Sequence, residues 1–383
     1  MKFTRVLWVV IFCALSCQTA FAGWTLYRFE GRDYVSLDEI AAFYGFPKPP
    51  PVDAASRLAA AKPSRSAVTA SSPKNMTRAA MATEFGLALA EIADPSVRPI
   101  TLDSGALQLE VTLGQREARI NGVKQWLAFP VREEGGKALI SRLDLSKVIE
   151  PHLRPELIEG FQPVTTVVLD AGHGGHDNGA SSRYGYEKNF ALDVALRARK
   201  KLEAQGYKVV MTRASDVFIP LEQRPAVANR LPNSIFISIH FNSSSSNPDA
   251  RGFEIFSMAP RGAPATNDDG PRERDLRAEP GNAMELPSAA LAGSIFHSLL
   301  GQVPMEDRGL KYARFAVLRV CTVPAVLVEC GFVSNNEEST LIGSPVWRVH
   351  VAEAIADGVE NYKLLAERKQ RPKVLADYRK TGK

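Results

Sequence analysis

The C-terminal half of this chain predicts an α/β fold, a mostly parallel sheet with helices on both faces, and three observations carry that reading. From Thr165 onward, short apolar runs alternate with segments of helical period, as they do when helices cover both faces of a sheet. Three of those runs end on a residue able to bind metal or move protons: Val167-Val168-Leu169 leads into Asp170-Ala-Gly-His173-Gly-Gly, Ile235 to Ile239 leads into His240, and Ala325 to Val328 leads into Glu329. Parallel strands would bring all three to the carboxyl edge of one sheet, where open α/β sheets bind their ligands. A length of 383 residues suggests two folded units, and the N-terminal half reads as a smaller α+β domain.

Taken in order, residues 1–22 read as a signal peptide. Lys2 and Arg5 precede the apolar run Val6 to Leu15, and Ala20-Phe21-Ala22 has the small-x-small form of a cleavage site. The chain is therefore expected to be exported and periplasmic, with secretion, or lipid anchoring through Cys17, as alternatives. Residues 23–155 form the expected binding and positioning domain. Gly31-Arg32-Asp33 marks a turn, and Ser36-Leu37-Asp38-Glu39 is a capping box for a helix over Ile40 to Tyr44. The same order of turn, apolar pair, Ser cap and acidic partner returns at Gly136 to Asp144. Between the copies lie a polar segment, flexible over 47–75, and a hairpin in which Leu107, Leu109, Val111 and Leu113 alternate before the Asn121-Gly122 turn.

The catalytic domain is expected over 160–367. Helices are read at Lys188 to Gln205, Leu221 to Arg230, Ser288 to Leu300 and Val346 to Leu365, and strands at Thr165 to Leu169, Tyr207 to Thr212, Ser234 to His240, Gly252 to Ser257 and the run ending at Glu329. Residues 259–287, rich in Pro, Gly and charge, are expected as a mobile cover over the cleft, with a disordered loop that does not touch it as the alternative. The basic stretch 368–383 reads as a solvated tail. Cys321 and Cys330 flank an extended strand, which holds them too far apart to bond, so both are expected as buried thiols.

Glu187, at the start of a helix, joins the strand-end residues. Two His, one Glu and a second Glu are the side chains a catalytic zinc site requires. The combination resembles the zinc-dependent N-acetylmuramoyl-L-alanine amidases of bacterial cell walls, over about residues 164 to 365. The motifs are Gly172-His173-Gly174-Gly175, Tyr186-Glu187-Lys188-Asn189, Ser238-Ile239-His240-Phe241-Asn242 and Pro324 to Phe332. The resemblance implies one zinc ion per chain held by His173, Glu187 and His240, with Glu329 as the catalytic carboxylate and peptidoglycan as the substrate. An activator protein is an allowed partner. The duplicated N-terminal element resembles the small domain named for the N-terminus of copper amine oxidases.

Further residues are assigned by position. Asp170 and Asp177 flank His173 and could orient its ring or only cap a turn, and Arg319 could hold a carboxylate of the substrate or form a surface salt bridge. His152, His297 and His350 are read as structural. Nucleotide binding is not expected, because the glycine spacing after Leu169 departs from Gly-x-Gly-x-x-Gly and a histidine stands in its centre. A net charge of +5 gives no reason to expect a nucleic acid, and no apolar run is long enough to span a membrane in the mature chain. Two alternatives share these features: a zinc peptidase cutting within the stem peptide, and a wall-binding regulator without activity.

Overall fold

The computed structural model describes residues 23–52 and 99–368. The expected signal peptide, residues 53–75 of the expected insertion and the tail from 369 lie outside the described residues. Among the described residues, no helix is long and apolar enough to cross a membrane.

The N-terminal part opens with β1 (Tyr27–Phe29), β2 (Arg32–Ser36) and helix α1 (Leu37–Tyr44). Ser36 accepts the Glu39 amide at the helix start, and Gly45 ends the helix in the left-handed conformation that glycine tolerates best. Four strands follow: β3 (Ile100–Asp103), β4 (Gln108–Val111), β5 (Glu117–Ile120) and β6 (Val123–Trp126). Then come β7 (Arg132–Glu134), β8 (Lys137–Ser141) and three helical turns to Leu153. The repeat read in the sequence is physical. Strands β2 and β8 pair antiparallel with Val35 opposite Ile140, and Ser141 caps Asp144 as Ser36 caps Glu39.

The C-terminal part begins with β9 (Thr166–Ala171), the short hairpin β10 (Ser181–Ser182) and β11 (Gly185–Tyr186), and helix α2 (Glu187–Ala204). It continues through β12 (Lys208–Met211), α3 (Gln223–Ala228), β13 (Ser234–Asn242), β14 (Phe253–Met258) and α4 (Glu285–Gln302). The last elements are β15 (Asp307–Ala313), α5 (Ala316–Arg319), β16 (Ala325–Phe332), α6 (Asn336–Gly343) and α7 (Pro345–Ala366). Strands β12, β9, β13 and β16 are parallel neighbours in that order. One face, through Val167, Leu169, Ile237, Ile239 and Val328, packs on α2, α4 and α7, and the other, through Val168, Phe236 and Leu327, packs on α3 and α5. Helices therefore cover both faces, as the alternating pattern requires.

The sheet differs from the expectation in two respects. Strand β14 runs antiparallel to β16, and β15 runs beside β14, so the sheet is mixed at this side. It also does not stop at β15. Strand β6 joins β15 with Leu310 opposite Gln125, and β5, β4 and β3 continue outward to give ten strands. The N-terminal strands thereby cover what would otherwise be an open edge of the C-terminal sheet. Arg119 pairs with Asp307 at 3.2 Å across this seam, and the Trp126 indole donates to the Arg308 carbonyl.

The direction of β14 corrects the expectation for residues 259–287. Because β14 is reversed, its last residue leaves the sheet at the edge opposite Glu329. The segment is ordered there. Ala263 is buried with Tyr34, Phe129 and Leu139 of the N-terminal part, the Thr266 hydroxyl accepts from the Tyr312 amide, and Arg314 ion-pairs with buried Asp275. It is a structural strap beneath the sheet and not a cover over the cleft.

Candidate active site

Alternation along a strand puts every second side chain on one face. Asp170, Ser238, His240 and Glu329 therefore share the face packed on α3 and α5, and the pairing sets His240 directly beside Glu329. Cys330 points to the opposite face, and both it and Cys321 are buried free thiols, as expected.

His173, Glu187 and His240 converge, and their ligand atoms all lie within 4.8 Å of one another. His173 Nε2 and His240 Nδ1 meet the same carboxylate oxygen, Glu187 Oε1, at 2.9 and 3.0 Å. The other ring nitrogen of His173 is held by Asp177 Oδ2 at 2.8 Å, which leaves Nε2 turned inward. Glu187 is itself fixed by the amides of Ala180 and Phe241. Burial by itself would push the Glu187 carboxyl up, but the hydrogen bonds from His173 and His240 outweigh it and hold the group well below the usual carboxylate range. Burial likewise pulls His173 down, and its contacts with Glu187 and Asp177 reverse that into a net rise.

Glycines let these side chains approach. A Cβ at residue 172 would stand 2.4 Å from the His240 ring, and one at residue 179 would stand 2.5 Å from Glu187 Oε2 and 2.7 Å from the His173 ring. Gly179 also has φ +62°, and His173 itself sits at φ 59°, a conformation a bulky residue adopts only where its surroundings hold it.

Glu329 stands apart from the three. Its Oε2 is buried with no hydrogen-bond partner among the described residues. Burial first, then the charges of Glu187 and Glu254, push its carboxyl well above the ordinary range, against a smaller opposing pull from Lys311. Glu254 lies opposite Glu329 on β14 and is neutralised by Arg308 at 2.7 Å and by buried Lys311, with Asn242 donating to its other oxygen.

Of the residues flagged by position, Asp177 orients the His173 ring as expected. Asp170 does not touch that ring. It is fully buried and accepts from Thr212, Ser238 and Arg224. Arg224, which no sequence signal singled out, passes this anchoring on, donating to the carbonyls of Ala171 and His173. Arg319 takes the salt-bridge alternative: it ends α5, before β16 begins, and faces Glu222 and Glu279 at 3.5 and 3.6 Å, with no residue of the centre among its partners in the described residues. His152 is buried and pulled down to about 3 by burial, in keeping with a structural role.

This is an α/β sheet that gathers at one edge two His and a Glu able together to hold a metal ion, with a separate carboxylate beside them, an arrangement suited to hydrolysis. A family model described as N-acetylmuramoyl-L-alanine amidase matches residues 167–361. The chain is 32% identical over 251 residues to the N-acetylmuramoyl-L-alanine amidase AmiA of Escherichia coli, covering 60% of this chain and 86% of that protein. It is 35% identical to the amidase AmiC of Neisseria meningitidis over 53% of each chain, so it spans about half the length of that relative. A solved structure, the catalytic domain of the CwlV amidase from Bacillus (Paenibacillus) polymyxa, is 34% identical with a TM-score of 0.43, covering 52% of this chain and 98% of that domain. The chain belongs to the N-acetylmuramoyl-L-alanine amidase family. It is a hydrolase of the amide that joins muramic acid to L-alanine in peptidoglycan.

Proposed function

We propose that the protein is a zinc-dependent amidase in which His173, Glu187 and His240 hold one zinc ion and Glu329 is the catalytic acid–base. The donor set fits zinc: two imidazoles and a carboxylate converge, and one imidazole is oriented from behind by Asp177. These three residues would hold the zinc ion, which would supply an activated water, with a pKa lowered to about 7, and a Lewis acid for the substrate carbonyl. Glu329 takes the proton of the attacking water at its unpartnered Oε2 and delivers it to the leaving nitrogen of L-alanine. A proton affinity raised above that of an ordinary carboxyl helps Glu329 to take the proton from water, and a carboxylic acid remains acidic enough to give it up to the leaving amine. Asp170 and Arg224 keep the backbone of residues 171 to 173 in place while this happens.

The observation that carries this reading is the separation of roles: the ligand atoms of two histidines and a glutamate lie within 4.8 Å of one another, and a fourth side chain, the carboxylate of Glu329, stands beside them with an oxygen that has no partner among the described residues. Export to the periplasm agrees with a peptidoglycan substrate and with the charged and apolar order of residues 2 to 22. The N-terminal part, through β6 on β15, supports the edge of the catalytic sheet in addition to any contact with the wall. Incubation of the protein with purified sacculi tests the reading. Release of stem peptides with a free L-alanine amine, abolished by a chelator and restored by zinc, is expected. Cleavage within the stem peptide, or turnover indifferent to the chelator, contradicts it.

A further inference from the structure

The loop that follows β12 carries a second feature of the same sheet edge. Val217, Phe218 and Leu221 are 46%, 39% and 57% exposed, and the His176 ring lies against Phe218 with centroids 4.3 Å apart. Their exposure is not looseness of the chain. Asp216 accepts from the Gly175 amide and from Lys188 Nζ, each at 2.8 Å, and Lys188 also donates to the Gly175 carbonyl. Arg213 bonds the carbonyls of Ala171 and Gly172, and Arg224 bonds that of Ile219. The loop is seated so closely on the His173 turn that a Cβ at residue 174 would stand 2.2 Å from the Val217 carbonyl oxygen. Apolar side chains held in water on a fixed support, next to a reactive centre, mark a surface that something else covers.

We propose that Val217, Phe218, Leu221 and His176 form a seat for the glycan strand, taking the pyranose ring attached to the amide that is cut. The proposal rests on the assignment of the catalytic centre to His173, Glu187, His240 and Glu329. The chemistry of the substrate places the sugar here. The cleaved carbonyl belongs to the lactyl group borne by muramic acid, so one sugar ring must lie within a few bonds of the centre. Pyranoses present C–H faces that pack on flat, uncharged rings, whereas a stem peptide carries carboxylates that call for cations. The two flanks of the centre differ in that sense. The Phe218 flank lies on the β12 side, and its nearest acid, Asp216, is tied to Lys188. The other flank is the β10–β11 hairpin, which also exposes the Tyr184 and Tyr186 rings but differs in charge: exposed Arg183 lies over the Tyr184 ring at 4.9 Å, and the Tyr184 hydroxyl meets Thr340 of α6 at 3.1 Å.

Peptide-free glycan strands test this without any turnover. The unaltered protein should bind them, Phe218→Ala should weaken binding about tenfold, as expected for an aromatic anchor, and Leu157→Ala, another exposed apolar residue, should leave it unchanged. Leu221→Ser gives a second variant that disturbs no hydrogen bond of the loop. On a muropeptide that keeps its sugars, kcat/KM of Phe218→Ala should fall by a similar factor, and on a lactyl peptide without sugar it should not change. Absence of glycan binding, full binding by both variants, or equal loss on the two substrates overturns the seat; retention on lipid vesicles in place of glycan also overturns it. Failure of the unaltered protein to cleave either substrate would instead count against the catalytic assignment, since binding of peptide-free glycan does not depend on it.

Discussion

Replacing Arg224 with Met keeps much of the volume of the side chain and removes its charge and all of its donors. Arg224 is 1% exposed, and its guanidinium reaches Asp170 at 3.0 Å together with the carbonyls of Ile219, Ala171 and His173. Asp170, fully buried, would keep only the hydroxyls of Thr212 and Ser238. Breaking a buried ion pair from one side costs about 3–5 kcal/mol, because the remaining charge has lost its compensation. Against a typical total of about 5–15 kcal/mol, that is a large fraction of the stability of the fold. The cost should be smaller when the stranded charge is also removed, so the pair Arg224→Met with Asp170→Asn should be less destabilised than the two single losses added together. Urea unfolding of the four proteins, read by circular dichroism, measures this. Zinc affinity of Arg224→Met should also fall about 10–100-fold, the range for loss of a partner behind a ligand. A loss of under about 1 kcal/mol in the single variant, or strict additivity in the double, would refute the claim that this pair anchors the His173 turn.

Three further outcomes follow from the same geometry. Gly179→Ala should fold yet lose at least about tenfold in zinc affinity by competition titration, since its Cβ would press on Glu187 and His173 in a left-handed conformation; unchanged affinity would refute this. Burial pushes Glu338 up to about 8, although it accepts the amides of Gly252 and Phe332. A raised carboxyl favours the fold fully below its unfolded value and loses that advantage as pH rises, so unfolding free energy should decline by up to about 5 kcal/mol between about pH 4.5 and 8, and Glu338→Gln should flatten the decline; a slope equal to that of the unaltered protein would contradict it. Trp126→Ala, which removes a half-buried ring under Lys311 and the bond to Arg308 across the seam, should cost about 2 kcal/mol; a cost under about 0.5 kcal/mol would show that the N-terminal strands do not brace the sheet.

The reactive centre was legible because its residues are punctuated by backbone chemistry. His173, His240 and Glu329 each close an apolar run, and the glycines around His173 announce a turn that only small residues allow. Asp177, four residues from His173, fell within reach for the same reason. Asp170 was misread because sequence adjacency says nothing of which face a strand residue takes: it sits on β9 and looks to β12, β13 and α3, and not forward to the ring. Arg224 left no trace, since one arginine at the start of a short helix looks like any solvated residue until the fold turns it inward. Residues 259–287 look like a cover when β14 is taken as parallel. The strand's alternation is the same in either direction, and only its pairing with β16 reveals that it runs the other way. Strand β15 escaped notice because Asp307-Arg308-Gly309 and Lys311 interrupt its apolar pattern, and these residues serve the seam with β6 and the neutralisation of Glu254.

The division of labour between ligands and proton carrier is the central claim, and zinc content measured beside turnover on purified Glu329→Gln and His240→Ala tests it most directly. Glu329→Gln should retain one zinc per chain while losing at least about 100-fold in amide cleavage, the lower range for loss of a general base, and His240→Ala should lose zinc and activity together. Normal turnover in Glu329→Gln, or loss of its zinc, would contradict the account.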